Sequence, residues 1–267
     1  MTDVQNQADG RGIKIQRTGV TRVQLPFFIS DGGDVQQVAA QIRFTVALVE
    51  NLRGTHMSRL AEILTNWTRR PIKIPDVEKI LLDALEKLST DFATISIAFK
   101  YFFEKLSPVS SKASFGSVES EFIGSLERGG RMKFTLGLSV PFTSLCPCSK
   151  EISDFGAHNQ RSVCRVKLDF RNFDDVSIKK FVRLIEAQGS TEIFPILKRE
   201  DEKFITEAAY QNPKFVEDIL RDVVLALRRE KNLSAFAVEC ENFESIHNHN
   251  AFASHEEQRD VASNERV

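Results

Sequence analysis

The chain has 267 residues, 42% hydrophobic and 27% charged, with a formal net charge of −1; this is the profile of a soluble globular protein, long enough for a large core or two modules. So even a balance creates no field that would gather nucleic acid or an anionic membrane surface, and an anionic ligand must be held by a local basic cluster. No run approaches the roughly 18 apolar residues of a membrane span, the first ten residues carry no signal-peptide core, and cysteines at 146, 148, 164 and 240 do not form a disulfide framework in so long a chain, so a reducing, cytoplasmic setting is expected.

Residues 1–15 and the polar tail 254–267 have the composition of disordered termini. Between them, Val38, Ala40, Ile42, Phe44, Val46 and Leu48 alternate with more polar neighbours, the period of a half-buried strand. Pro75-Asp76 opens a helix with Val77, Ile80, Leu81, Ala84, Leu85 and Leu88 on one face. Alternation resumes over Ala93, Ile95, Ile97, Phe99 and Tyr101, and again on both sides of Gly129-Gly130, the turn of a hairpin that continues through Met132, Phe134, Leu136, Leu138 and Val140.

The second half repeats this order. A strand is expected over 162–171, helices over 178–188 and from Pro213 to Arg229 with Asn212 as cap, and a last strand over 233–243. Antiparallel strands interrupted by paired helices give an α+β class with helices on one face of each sheet. Two modules, roughly 16–130 and 131–253, follow from the repeated element order.

The chemistry concentrates in Thr143-Ser-Leu-Cys-Pro-Cys-Ser-Lys150 and Gly156-Ala-His-Asn-Gln-Arg161. A short helix over Cys148–Phe155, ended by Gly156, would make Cys146 its cap and place Cys146 and Cys148 at the positive end of its dipole, with Lys150 close. Thiolates there suit a metal or attack on carbon; buried, inert cysteines are the plain alternative.

Four other segments carry usable groups. Gly54-Thr-His-Met-Ser-Arg59 offers His56 and Arg59 either to an anion or to a turn before an apolar run. Leu197-Lys-Arg-Glu-Asp-Glu-Lys203 reads by base rate as a solvated loop, with an acid that could complete a metal site. Glu217 and Asp218 stand in an early helical turn, where acids serve the dipole but where a carboxylate can also accept two hydrogen bonds from a guanine edge. After the last strand, Glu244-Ser-Ile-His-Asn-His249 puts His247 and His249 on one side of an extended chain, suited to proton transfer or metal binding.

In this order, from about residue 20 to 253, these motifs together with Asn212-Pro-Lys-Phe-Val-Glu-Asp218 and Ser245-Ile-His-Asn-His249 resemble the type IB GTP cyclohydrolases; Asn250 departs from the acidic residue common at that place. The resemblance implies a tunnelling fold of two modules per chain and a homotetramer. It also implies hydrolysis of GTP at C8 to formate and 7,8-dihydroneopterin triphosphate, the entry to tetrahydrofolate, with zinc or manganese as divalent cofactor. By position, Cys146, His158 and Glu202 would be the metal ligands, with Glu200 the alternative to Glu202. Cys148, His247, His249 and Glu244 would be catalytic, Glu217 would anchor guanine, and His56, Arg59, Lys150 and Arg161 would surround the triphosphate.

Two further readings differ in kind. A tunnelling-fold reductase of a nitrile-bearing deazapurine would use one cysteine as covalent nucleophile with a nicotinamide cofactor, and the cysteine pair with distant His and Glu speaks against it. A non-enzymatic zinc-stabilised binding module would close its metal with four protein ligands.

Overall fold

The computed structural model describes residues 4–173 and 176–259; the outermost parts of the expected disordered termini lie outside this range. In chain order the elements are β1 (Ile15–Asp31), β2 (Asp34–Leu48), α1 (Met57–Trp67), β3 (Pro71–Ile72), α2 (Ile74–Lys87), β4 (Phe92–Leu106), β5 (Ala113–Glu127) and β6 (Lys133–Leu145). They continue with α3 (Pro147–Ile152), β7 (Asn159–Phe170), α4 (Ile178–Glu186), α5 (Arg199–Gln211), α6 (Val216–Arg228), β8 (Leu233–Asn242) and β9 (Ala251–Gln258). The strands hydrogen-bond in the order β3-β1-β2-β4-β5-β6-β7-β8-β9. Pairs β1–β2, β2–β4, β7–β8 and β8–β9 are antiparallel, and the two-residue β3 joins β1 in parallel.

The chain folds into two compact units. The first takes the chain to Lys100, with Glu121–Thr135, Phe173 and Val176; the second takes Tyr101–Ser120, Leu136–Asn172 and the chain from Ser177. In the first unit the alternation in β2 does what its period demands, burying Val38, Ala40, Ile42 and Phe44 and exposing Ala39, Gln41 and Arg43. Helix α2 buries Val77, Ile80, Leu81, Ala84 and Leu85 almost completely, each larger side chain contributing roughly 1.5–3 kcal/mol. Close packing leaves Gly124 of β5 no room for a side chain, since a Cβ there would lie 2.6 Å from Val77 Cγ1. Phe99, Phe122, Phe134 and Phe173 stack edge to face at 5.1–5.8 Å, the arrangement aromatic quadrupoles favour.

In the second unit α6 packs on β8 and β9 and touches α4, burying Val216, Ile219, Val223 and Leu227. Lys105 of β4 is buried there, its Nζ 2.6 Å from Glu186 Oε1 and 2.9 Å from Glu192 Oε2, at the edge of a cavity of about 430 Å³ also lined by Lys179, Arg183 and Phe194.

Several expectations are corrected. The chain before residue 15 is tied down: the Asp9, Arg53 and Gly54 amides bond Asn51, Gln7 and Gln5 carbonyls at 3.0–3.1 Å. The polar tail expected from residue 254 is, as far as Gln258, part of β9, an edge strand that pairs with β8 from Asn242↔Ala251 to Ala235↔Gln258. The helix expected from Pro213 starts at Val216, because the Asp218 carboxylate accepts from the Phe215 amide at 3.1 Å and caps it there. Asn212 instead ends α5, its side-chain amide donating to the carbonyls of Gly189 and Ser190.

Candidate functional site

Helix α3 forms where Pro147 fixes a helical first residue and Cys146 caps it. The Cys146 Sγ accepts from the Ser149 amide at 3.4 Å, and Ser149 Oγ donates to the Cys146 carbonyl at 3.2 Å. The helix is shorter than the expected Cys148–Phe155: Ser153 turns extended and its Oγ takes the Phe155 amide at 3.2 Å, so Gly156, at φ 113°, ends the following turn rather than the helix. Cys148 is exposed and Cys146 partly so.

That turn returns the chain to Cys146. The Cys146 amide donates to the His158 carbonyl at 3.1 Å, and the His158 amide donates to Ser149 Oγ at 3.1 Å. A thiol and an imidazole twelve positions apart in the chain thus share one backbone junction. Beyond it, His158 Nδ1 lies 2.9 Å from Gln160 Oε1 and 3.4 Å from Ser245 Oγ. Gln160 Nε2 donates to Ser144 Oγ at 2.9 Å and, in a long contact of 3.5 Å, to Glu244 Oε1. Ser144 and Ser162 hydroxyls pair at 2.8 Å, both fully buried. The Phe243 amide bonds the Arg161 carbonyl at 3.0 Å, which fastens the start of the 243–250 loop to β7.

His247 and His249 lie in that loop, exposed, their rings stacked at 5.0 Å and 13°. The expected same-side relation therefore arises in a bend rather than in extended strand. Lys150 is held against Tyr210, its Nζ 2.5 Å from the carbonyl and 4.3 Å from the ring centroid. Arg161 is exposed on β7.

The 197–203 segment is not a solvated loop. Arg199 begins α5, and the buried Asp201 accepts from the amides of Val109, Ser110 and Lys198 at 2.8–2.9 Å and from Ser110 Oγ at 2.6 Å. Burial raises the Asp201 pKa, but those hydrogen bonds outweigh it and leave the carboxyl well below the usual range. Glu202 stands beside it with a side chain 56% exposed, 3.8 Å from Arg199, and Glu200 is exposed as well. Among the described residues no three His, Cys, Asp or Glu side chains are gathered as a metal would require: Cys146 and His158 are brought together, and Glu202 is not part of a cluster with them.

Glu217 is exposed on the first turn of α6, where Asp218 rather than Glu217 does the capping. In the first unit, His56 occupies the N-cap position of α1 without a side-chain capping bond, and Arg59 donates from the first turn to the Lys87 carbonyl at 2.8 Å, at the end of α2. Cys164 and Cys240 sit opposite one another in the β7–β8 register, fully buried. The hydrogen bond with Cys240 and burial push the Cys164 thiol well up, as befits structural rather than reactive cysteine. Sequence reasoning assigned nothing to Gln160, although His158, Gln160 and Ser162 fall at a period of two, which puts them on one side of a strand.

Comparison with known proteins bears on the family and the fold. A family described as "Type I GTP cyclohydrolase folE2" matches residues 1–253. The GTP cyclohydrolase FolE2 of Azoarcus sp. (strain BH72) is 46% identical over 252 residues, 94% of this chain and 93% of that protein. That of Thiobacillus denitrificans (strain ATCC 25259 / T1) is 46% identical over 254 residues, 95% of this chain and 93% of the relative. Among solved structures, uricase from Arthrobacter globiformis superposes with a TM-score of 0.52 at 8% identity, covering 92% of this chain and 94% of the uricase. Urate oxidase from Bacillus subtilis 168 gives 0.52 at 9%, covering 91% and 99%. At such identity the structures speak to the fold alone, the tunnelling fold. The family match and the relatives speak to descent: this chain belongs to the type I GTP cyclohydrolases, of the FolE2 kind.

Proposed function

We propose that the chain is a type IB GTP cyclohydrolase that converts GTP and water to 7,8-dihydroneopterin triphosphate and formate, the first step of tetrahydrofolate synthesis, in the cytoplasm and as a homotetramer built from chains of two modules, about 16–130 and 131–253. The observation that carries this reading is the meeting of three separate motifs, 143–150, 158–161 and 244–249, in one hydrogen-bonded junction.

The donor chemistry there fits a divalent metal. Cys146 offers a sulfur at a helix cap, and His158 offers an imidazole whose Nδ1 is already engaged by Gln160, the way metal-ligating histidines are oriented. Cys146 and His158 would hold zinc or manganese, with Glu202, which stands outside their cluster, as the third ligand that the resemblance implies; the metal when bound would supply a water acidic enough to attack C8 near neutral pH. Glu217, left out of the helix cap, would accept two N–H donors of the guanine edge. His247 and His249, exposed and stacked, would move protons to the purine and ribose as the ring opens and the sugar rearranges. Glu244 would orient that loop and Cys148 would sit beside the metal as a second thiol. Lys150 and Arg161 of the second unit would meet the triphosphate.

The test is direct. The purified chain, loaded with zinc or manganese and incubated with GTP, should release formate and, after oxidation, fluorescent neopterin. Stoichiometric metal with no product would favour the closed zinc-stabilised module, and turnover of a deazapurine nitrile with a nicotinamide cofactor would favour the reductase.

A further inference from the structure

Gln160 is 93% buried by its 7% exposure, and a buried amide must satisfy both of its ends. Its neighbours decide which way it points. A carboxylate only accepts hydrogen bonds, so the side facing Glu244 Oε1 at 3.5 Å is the NH₂, which also donates to Ser144 Oγ at 2.9 Å. The amide oxygen is left facing His158 Nδ1 at 2.9 Å. An oxygen there requires a proton on Nδ1, and a neutral imidazole with its proton on Nδ1 carries its lone pair on Nε2. Ser245 Oγ, 3.4 Å from the same Nδ1, can accept as well. One side chain therefore fixes the tautomer of the histidine and touches the carboxylate that begins the 244–249 loop.

We infer that Gln160 is a positioning residue: it presents His158 Nε2 to the metal and keeps the loop of His247 and His249 in register with it. This rests on the reading of His158 as a ligand. Two variants separate the two tasks. Gln160→Met fills similar space with neither acceptor nor donor, whereas Gln160→Glu keeps an acceptor for Nδ1–H but sets a second carboxylate against Glu244.

Gln160→Met should bind zinc about 10- to 100-fold more weakly in competition with a chromophoric chelator, the usual scale for losing such a partner. In metal-free protein labelled with ¹⁵N-histidine, the His158 signals, identified by their loss in His158→Ala, should move from the Nδ1–H pattern to a tautomer mixture. Gln160→Glu should keep the Nδ1–H pattern and zinc affinity while turnover falls. The proposal is overturned if Gln160→Met retains parental zinc affinity and tautomer, or if Gln160→Glu loses the Nδ1–H pattern; should Gln160→Met not fold, the second criterion decides. Retention of zinc by His158→Ala would instead sink the ligand reading, and loss of zinc in His158→Ala with no effect in Gln160→Met would sink the positioning role alone.

Discussion

Replacing Lys105 by Met removes a buried cation while keeping most of the side-chain volume. Lys105 is 6% exposed and Glu186 5%, whereas Glu192 is 40% exposed. The Glu192 contact is therefore worth at most about 1 kcal/mol, and the Glu186 contact decides the outcome. Removing one partner of a buried pair leaves an uncompensated charge and destabilises by about 3–5 kcal/mol. At roughly 2–4 °C per kcal/mol for a protein of this size, the melting temperature should fall by about 6–20 °C near pH 7.5. The pH dependence has a definite sign. Burial raises the pKa of Glu186, and the charge and hydrogen bond of Lys105 oppose that rise, so the variant raises it further. A carboxyl with a raised folded-state pKa leaves the protein stable below its unfolded value, about 4.3, and loses that stability as pH climbs through the folded value. The deficit against the parent should thus be small near about pH 5 and full near about pH 7.5. Thermal unfolding followed by circular dichroism at both values measures it. Adding Glu186→Gln to Lys105→Met should recover most of the loss at neutral pH. A deficit below about 1 kcal/mol, or one equal at the two pH values, would refute the reasoning.

Cys146→Ala deletes a proposed metal ligand and should abolish turnover with greatly reduced metal content by elemental analysis; full activity in a metal-replete variant would end the metal-hydrolase account. Glu217→Gln should preserve fold and metal but cripple GTP binding, since an amide presents one acceptor and one donor to two donors; calorimetry showing unchanged affinity removes the anchoring role. His249→Ala should keep stoichiometric metal and the oligomer seen by light scattering while losing on the order of 10²-fold or more in turnover, with a partly opened purine detectable by mass in quenched mixtures. Metal loss in that variant would make His249 a ligand, and undiminished neopterin would make the motif structural.

The elements legible in the sequence were those in which one periodicity governs the whole segment. β2 and α2 bury a clean stripe, and Cys146-Pro147 announces the cap of α3. β1 escaped because its register shifts between Ile15 and Thr18 and between Val20 and Val23, with Arg22 at φ 59°, and such bulges break the alternation that marks a strand. α5 buries only Asp201 and Ala209, so it has no apolar stripe to read; a buried charge fastens its start. β9 was hidden by Ser254-His-Glu-Glu-Gln258, polar because an edge strand keeps charged side chains. At the candidate site, the cap, the histidines and the acids could be found as motifs, but which way the Gln160 amide points and where the 243–250 loop is fastened depend on Ser144, Glu244 and the Arg161 carbonyl, partners remote in the chain. No local spacing records those.

The pairing of β8 with β9 also bears on the entropy of catalysis. Residues 243–250 leave the sheet at Asn242 and re-enter it opposite, at Ala251. A histidine on a free terminal tail would have to be ordered anew in each turnover, at a backbone cost of roughly 1–2 kcal/mol per residue fixed. Anchored at both ends by a strand ladder, His247 and His249 search only the space of a closed loop, and most of that ordering is completed when the protein folds. If His247 and His249 move protons as proposed, the polar stretch after the last histidine is where the chain stores their effective concentration.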